Sequence, residues 1–310
     1  VRSKGMLDCS ANQGSPGFGV PDSRGEQQGL DPDICRAIAA AVLGDASRVR
    51  WHVLTSQARI PALQSGQVDI VARTFTWTHS REVNAGLQFG PPVFYDGQGF
   101  IIRKSLKVNS ALELNDAAIC VQQGTTTELN LTDYFRTNKM RLKTVTFATL
   151  DEALKAYDTG RCDAFTADAS ALYSVRLKLA KPDDNVVLPE IISKEPLGPY
   201  VRQGDDQWFD IVRWVLFAMF NAEELNVTQA NADEQMKSAN PEIKRMLGAE
   251  GNFGEQLGLT KDWVYRIVKL VGNYGEVFER NVGQGSPLKI ARGLNALWTK
   301  GGLHYGPPIR

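Results

Sequence analysis

Net charge is the first thing missing: 35 Lys and Arg are balanced by 35 Asp and Glu across 310 residues. No overall electrostatic pull toward nucleic acid or an anionic membrane surface follows, so partners must be chosen by shaped local sites. Histidine is scarce, and His52, His79 and His304 stand far apart, with neither HExxH nor paired CxxC spacing; this gives a metal centre no support. A GxSxG elbow is absent, as is the phosphate loop GxxxxGK followed by Ser or Thr, and Gly17-Phe18-Gly19 lacks the third Gly of a dinucleotide fingerprint. Nucleotide cofactors are therefore not expected, and no other cofactor is implied. The longest apolar stretch, Trp208 to Phe220, is interrupted by Asp210 and Arg213 and falls short of the roughly 20 residues of a membrane span. Low-complexity tracts are also missing. Cysteine is limited to four, which allows two bridges in any of three pairings or four thiols. The chain opens at Val1 with no apolar leader, so a targeting peptide, if there was one, is expected to have been removed.

What remains is 43% hydrophobic and 23% charged, the composition of a compact soluble protein with length for about two domains. Asp31 to Leu43 predicts a helix, with Asp31 as N-cap, Pro32 in its first position and Gly44 as its stop. A strand from Met6 to Cys9 and a Gly/Pro loop from Asn12 to Pro21 precede it, and the alternating Val49–Leu54 follows as a second strand. A further helix ends at Ser65-Gly66, and Val68–Ala72 has the apolar run of a buried parallel strand. The order recurs: strand Ala117–Gln123, helix Thr126–Asn138, strand Leu142–Phe147, then helix, Gly and strand. The Ala62–Asp69 pattern returns 94 residues later as Ala156–Asp163. Two similar α/β lobes are expected, joined by extended crossings at Tyr95–Arg103 and Val186–Val201, with lobe 1 formed from residues 1–99 and 197–310 and lobe 2 (100–196) inserted. Helices at Trp208–Phe220 and Lys261–Val271 fall in the returning part. Open parallel sheets bind ligands beyond the carboxyl ends of their strands, which puts a cleft between the lobes.

At one such strand end, Arg73 to Arg81 is dense in hydroxyls and guanidinium groups, the composition of an anion site. Arg81 is the main candidate, although it could instead pair with Glu82. In the second lobe Gln123-Gly124-Thr125-Thr126-Thr127 lies between strand and helix, where free N–H groups favour an anion or simply cap the helix. Asp168 ends the neighbouring strand, either at the cleft or as cap of the helix Ala169–Leu179. A guanidinium from one lobe and a carboxylate from the other complement a small zwitterion, and an α-amino acid fits that description.

The strings GLDPDICRAIAAA, IPALQSGQVDIVARTFTWTHSRE, VQQGTTTEL and GRCDAFTADASAL resemble the family-3 solute receptors, the periplasmic amino-acid-binding proteins of ABC importers. The segments LGPYVRQGDDQWFDIVRWVLFAMFNAEE, VGNYGEVFERNVG and GLNALWTKGGLHYGPPIR resemble the larger subgroup serving general L-amino-acid or glutamate/glutamine/aspartate/asparagine importers. The resemblance implies a two-lobed periplasmic-binding-protein fold of type II, a monomer in the periplasm, an L-amino-acid ligand, an inner-membrane ABC permease as partner, and neither nucleic acid nor enzymatic turnover. It makes Arg81 the carboxylate clamp with Thr74 and Thr76 beside it, Asp168 the ammonium acceptor, and Thr125 and Thr126 the second-lobe contacts; Thr78 belongs to the same strand-end cluster. The aromatic sandwich of smaller relatives is replaced by Asn12-Gln13-Gly14-Ser15, and Ser56-Gln57-Ala58-Arg59 is likewise without an aromatic. A roomy polar pocket with broad or polar specificity is expected, read by Gln57, Arg59, Arg73 and Trp77. Bridges Cys9–Cys35 and Cys120–Cys162 are expected from strand and helix placement, and oxidation fits a periplasmic setting. The rival is a same-fold enzyme of the cyclohexadienyl dehydratase type with Asp168 as acid, since fold alone does not fix function.

Overall fold

Apolar side chains in this chain gather into separate cores on either side of a narrow crossing. The computed structural model describes residues 1–310. One core of 43 buried residues draws only on positions 7–94 and 197–309, with a satellite cluster of nine beside it. Two further clusters, of 12 and 10 residues, draw only on positions 100–188 and cover the two faces of one sheet.

In the first body the strand Leu7–Ala11 runs parallel to Val49–Val53. The segment expected as strand Val68–Ala72 lies on the other side, but it makes single bridges, Cys9 with Ile70 and Val71 with Tyr200, in place of a ladder. Its backbone is divided between a parallel neighbour and an antiparallel one, which prevents a continuous register. The helix Leu30–Leu43 closes on left-handed Gly44 as expected, yet its cap differs from the sequence reading. Gly29, at φ 136°, holds the N-cap position because a Cβ there would come within 2.5 Å of the Phe18 carbonyl carbon. Asp31 lies inside the helix, buried, with its carboxylate accepting the Thr74 N–H at 2.8 Å.

The second body holds a five-stranded sheet in the order Asn185–Val187, Gln98–Arg103, Ala164–Asp168, Ala118–Gln122, Lys143–Phe147. The last three are parallel, and the first two are antiparallel to their neighbours. Helices Thr126–Thr137, Leu150–Asp158 and Ala169–Arg176 flank it. Two strands connect the bodies, Phe94–Asp96 and Glu195–Leu197, paired antiparallel as a short ribbon. The chain then returns through the long helix Asp206–Glu224 and several shorter ones, including Trp263–Leu270.

Each body carries one disulfide. Cys9–Cys35 ties the first strand to the helix behind it, and Cys120–Cys162 ties a strand of the second sheet to the turn before its neighbour. Closing loops of 26 and 42 residues restrains the unfolded chain by about 3.5 and 4 kcal/mol on the loop-entropy account. No helix is long and apolar enough to cross a membrane.

Candidate functional site

Between the two bodies lies a cavity of about 800 Å³ including its open mouth, and only four of its 22 lining residues are hydrophobic. Small-ligand pockets are usually lined by apolar side chains, so this wall suits a ligand that is charged or polar at several points. The first body contributes Arg59, Arg73, Thr74, Thr76 and Arg81, together with the loop Asn12 to Ser15; the second contributes Thr125, Thr126, Thr127, Asp151 and Asp168.

Arg81 stands in the wide helical turn Ser80–Asn84, where one guanidinium nitrogen donates to the Thr76 carbonyl at 2.8 Å. Glu82 accepts from the Trp77 indole instead, which disposes of the surface pairing considered for Arg81. Arg59 and Arg81 both lie over the Phe75 ring, at 4.4 and 4.2 Å, a cation–π arrangement that fixes two cations close together. Arg59 is only 3% exposed, and its donors go to the carbonyls of Ser56, Arg73 and Thr74. Arg73, 5% exposed, donates to Ser56 Oγ at 3.3 Å and leaves its Nε without a partner. Burial lowers the pKa of all three arginines, well below the usual value for Arg59, where Arg73 and Arg81 add repulsion, and to about 10 for Arg73.

Across the cleft, Asp168 takes the N-cap position of the helix Ala169–Arg176 but makes no capping bond, and its Oδ1 has no partner. The cap is supplied by Asp96, whose carboxylate accepts from the backbone N–H and hydroxyl of Ser170. Burial, with Asp96 and Glu195 nearby, holds the Asp168 carboxyl well above the ordinary carboxylate range; burial also pushes Asp96 up to about 6. Glu195, 1% exposed, accepts from Thr126 Oγ1 at 2.8 Å, Asn130 Nδ2 at 2.7 Å and Ser193 Oγ at 2.6 Å. Thr125 caps its helix by accepting the Glu128 N–H, so the capping reading of this segment holds for Thr125 while Thr126 turns to the cleft. The Thr126 hydroxyl faces that of Thr76 across the cleft at 3.3 Å. Burial also pushes Asp31, behind Arg73 and Arg59, up to about 7.

Three expected site residues lie outside the cavity wall. Gln57 is exposed at the rim, 3.5 Å from Gln123, because its turn directs the side chain along the mouth. Trp77 points outward and stacks on Phe89 at 4.7 Å. Thr78 bonds the turn itself, accepting the Arg81 N–H and donating its own N–H to Tyr200 Oη, both at 3.3 Å. Asp31, Asp96, Ser170 and Glu195 were not anticipated as site residues from the sequence; only the acidic positions within the expected crossing segments could have signalled two of them, Asp96 and Glu195.

The sequence profile of the bacterial extracellular solute-binding proteins, family 3, matches residues 7–231. The chain is 57% identical to the general L-amino acid-binding periplasmic protein AapJ of Rhizobium johnstonii, over all of this chain and 92% of that protein. It is 50% identical to the glutamate/glutamine/aspartate/asparagine-binding protein BztA of Rhodobacter capsulatus, again over the whole chain and 92% of that protein. A periplasmic binding protein of an ABC transporter from Brucella ovis, solved with glutathione bound, superimposes with a TM-score of 0.97 at 58% identity, over 100% of this chain and 98% of that one. With its two-lobed fold, polar interlobe cleft and family profile, the chain belongs to the family-3 bacterial extracellular solute-binding proteins.

Proposed function

We propose that this protein binds an L-α-amino acid between its lobes in the periplasm and delivers it, as a closed monomer, to an ABC permease of the inner membrane. The observation that carries this reading is the meeting of Arg81 and Asp168, from different lobes, in one cavity where neither has an ion-pair partner. The ligand carboxylate bridges Arg81 and the Thr76 and Thr126 side, and its ammonium restores a counter-charge to Asp168. Lobe 1 (residues 1–99 and 197–310) and lobe 2 (100–196) rotate about the two-strand ribbon, and the ligand favours the closed form by binding it better than the open one. Arg59 and Arg73 supply positive charge beyond what a single carboxylate needs, which supports polar and acidic side chains within a broad range.

A second reading is favoured by the polarity and the number of charges in the cavity wall. A γ-linked tripeptide such as glutathione, the molecule bound in the Brucella structure, carries two carboxylates and one ammonium, which suit the three guanidinium groups and Asp168 of this cavity. Calorimetry against the common L-amino acids and glutathione tests both. Binding without turnover is expected, and near-normal affinity in Arg81→Ala would overturn the assignment. Consumption of prephenate or arogenate would replace binding by dehydratase chemistry with Asp168 as acid.

A further inference from the structure

The family profile stops at residue 231, and the chain beyond it packs mainly on lobe 1. One part, residues 292–305, reaches the crossing ribbon. Asn295, 4% exposed, brackets the main chain of Tyr95: its Oδ1 accepts the Tyr95 N–H at 2.6 Å, and its Nδ2 donates to the Tyr95 carbonyl at 3.3 Å. Tyr95 lies opposite Pro196 in the ribbon, but the Pro196 carbonyl turns away to accept the Trp77 N–H, so the main-chain groups of Tyr95 face the outer edge, where the Asn295 amide takes the place of a next strand. Beside it the buried His304 ring lies 5.4 Å from Tyr95 and stacks on Phe220 at 4.4 Å. Arg292 fastens the segment to lobe 1 by donating to the Asn295 carbonyl at 3.0 Å and pairing with Glu223 at 3.0 Å.

One residue further along the same strand the attachment reverses. The Asp96 carboxylate accepts from Ser170 of lobe 2, and the Gly97 position is so tight that a Cβ would stand 2.2 Å from Ile191 Cγ2. Tyr95 is thus bound to one lobe and Asp96 to the other.

Resting on the closure proposed above, we infer that residues 292–305 form a hinge clip in which Asn295 is a positioning residue, confining rotation on this strand to the Tyr95–Asp96 link and limiting how far the lobes open. A narrower open ensemble loses less entropy on closing, so the clip raises ligand affinity without touching the ligand.

The test compares the intact wild-type chain with Asn295→Ser. Small-angle scattering of the ligand-free proteins should show a larger radius of gyration in the variant, and calorimetry with L-glutamate as probe should show binding about three- to tenfold weaker. A merely structural role would lower the melting temperature and leave both of these unchanged; a folded variant with wild-type radius and affinity overturns the clip. Should Asn295→Ser fail to fold, hydrogen exchange on the wild type decides: the Tyr95 amide should stay protected without ligand, and exchange at the rate of an open loop overturns the inference. Absence of any amino-acid binding by the wild type would count against the function proposed above, leaving scattering and exchange to judge the clip.

Discussion

Replacing Asp168 by Asn separates the demands of binding from those of folding. In the ligand-free protein this carboxyl is buried, lacks a partner at Oδ1 and has Asp96 and Glu195 close by, all of which disfavour its charged form. A carboxyl whose pKa is raised on folding contributes most to stability at low pH, where it is neutral in both states, and that contribution is lost as pH rises through the raised value. Asn cannot ionise and should therefore leave the ligand-free melting temperature at pH 7 to 8 equal to or above wild type, the two converging near pH 4. Binding should respond in the opposite sense. Breaking a buried charge pair costs about 3 to 5 kcal/mol, and a bond to a charged group is itself worth about 1.5 to 3. Taking about 3 to 4 kcal/mol for the lost ammonium contact gives roughly 10²- to 10³-fold weaker binding. Calorimetry and thermal shift on the same preparation read both quantities. Affinity within about threefold of wild type, or a marked loss of stability at pH 8, would refute the placement of Asp168 as an uncompensated ammonium acceptor.

Gly124 sits at φ 71° with its Cβ site 2.5 Å from Gln57 Cγ on the other lobe, so Gly124→Ala should weaken ligand affinity by obstructing closure, checked by calorimetry. Asp31, raised to about 7, should make ligand-free stability fall as pH climbs from 4 to 7, and Asp31→Asn should flatten that part of the melting profile. Replacing both Cys120 and Cys162 by Ser should cost about 3 to 4 kcal/mol in denaturant unfolding, with ligand affinity largely retained in protein that stays folded because the bridge lies in the lobe core. Reductant should change the intact mass of the native protein by about four protons.

The features legible in the sequence were those fixed by short-range geometry. Gly44 and Gly66 stop their helices in the left-handed region, and the strand-ending positions of Arg73 and Asp168 follow from the order of elements. The cysteine pairs were legible for the same reason, since one joins a strand to the helix packed behind it and the other joins a strand to the turn that leads into its neighbour. Side-chain direction in turns was not legible: Trp77 and Thr78 share a turn with Thr76, yet stacking on Phe89 and bonding to Tyr200 aim them elsewhere. Asp31 carries every local mark of an N-cap, but the approach of Phe18 to Gly29 shifts the helix start, and the Thr74 N–H claims its carboxylate. The acidic residues of the ribbon are brought to the cleft by pairing across 99 positions of chain, Asp96 with Glu195, a contact that no local pattern announces.

The seam in the large core also has a consequence in time. Leu7 and Ile309 contribute to one apolar cluster, whereas the inserted body draws on nothing after Ile192. A chain emerging from its amino end can therefore complete the middle portion while the opening segment waits, its strands and the helix bearing Cys35 deprived of the surfaces they will cover. The stretch from Arg59 to Arg81 packs in the smaller cluster that Tyr200 completes, so the cationic half of the ligand cradle takes shape only after the inserted body has passed.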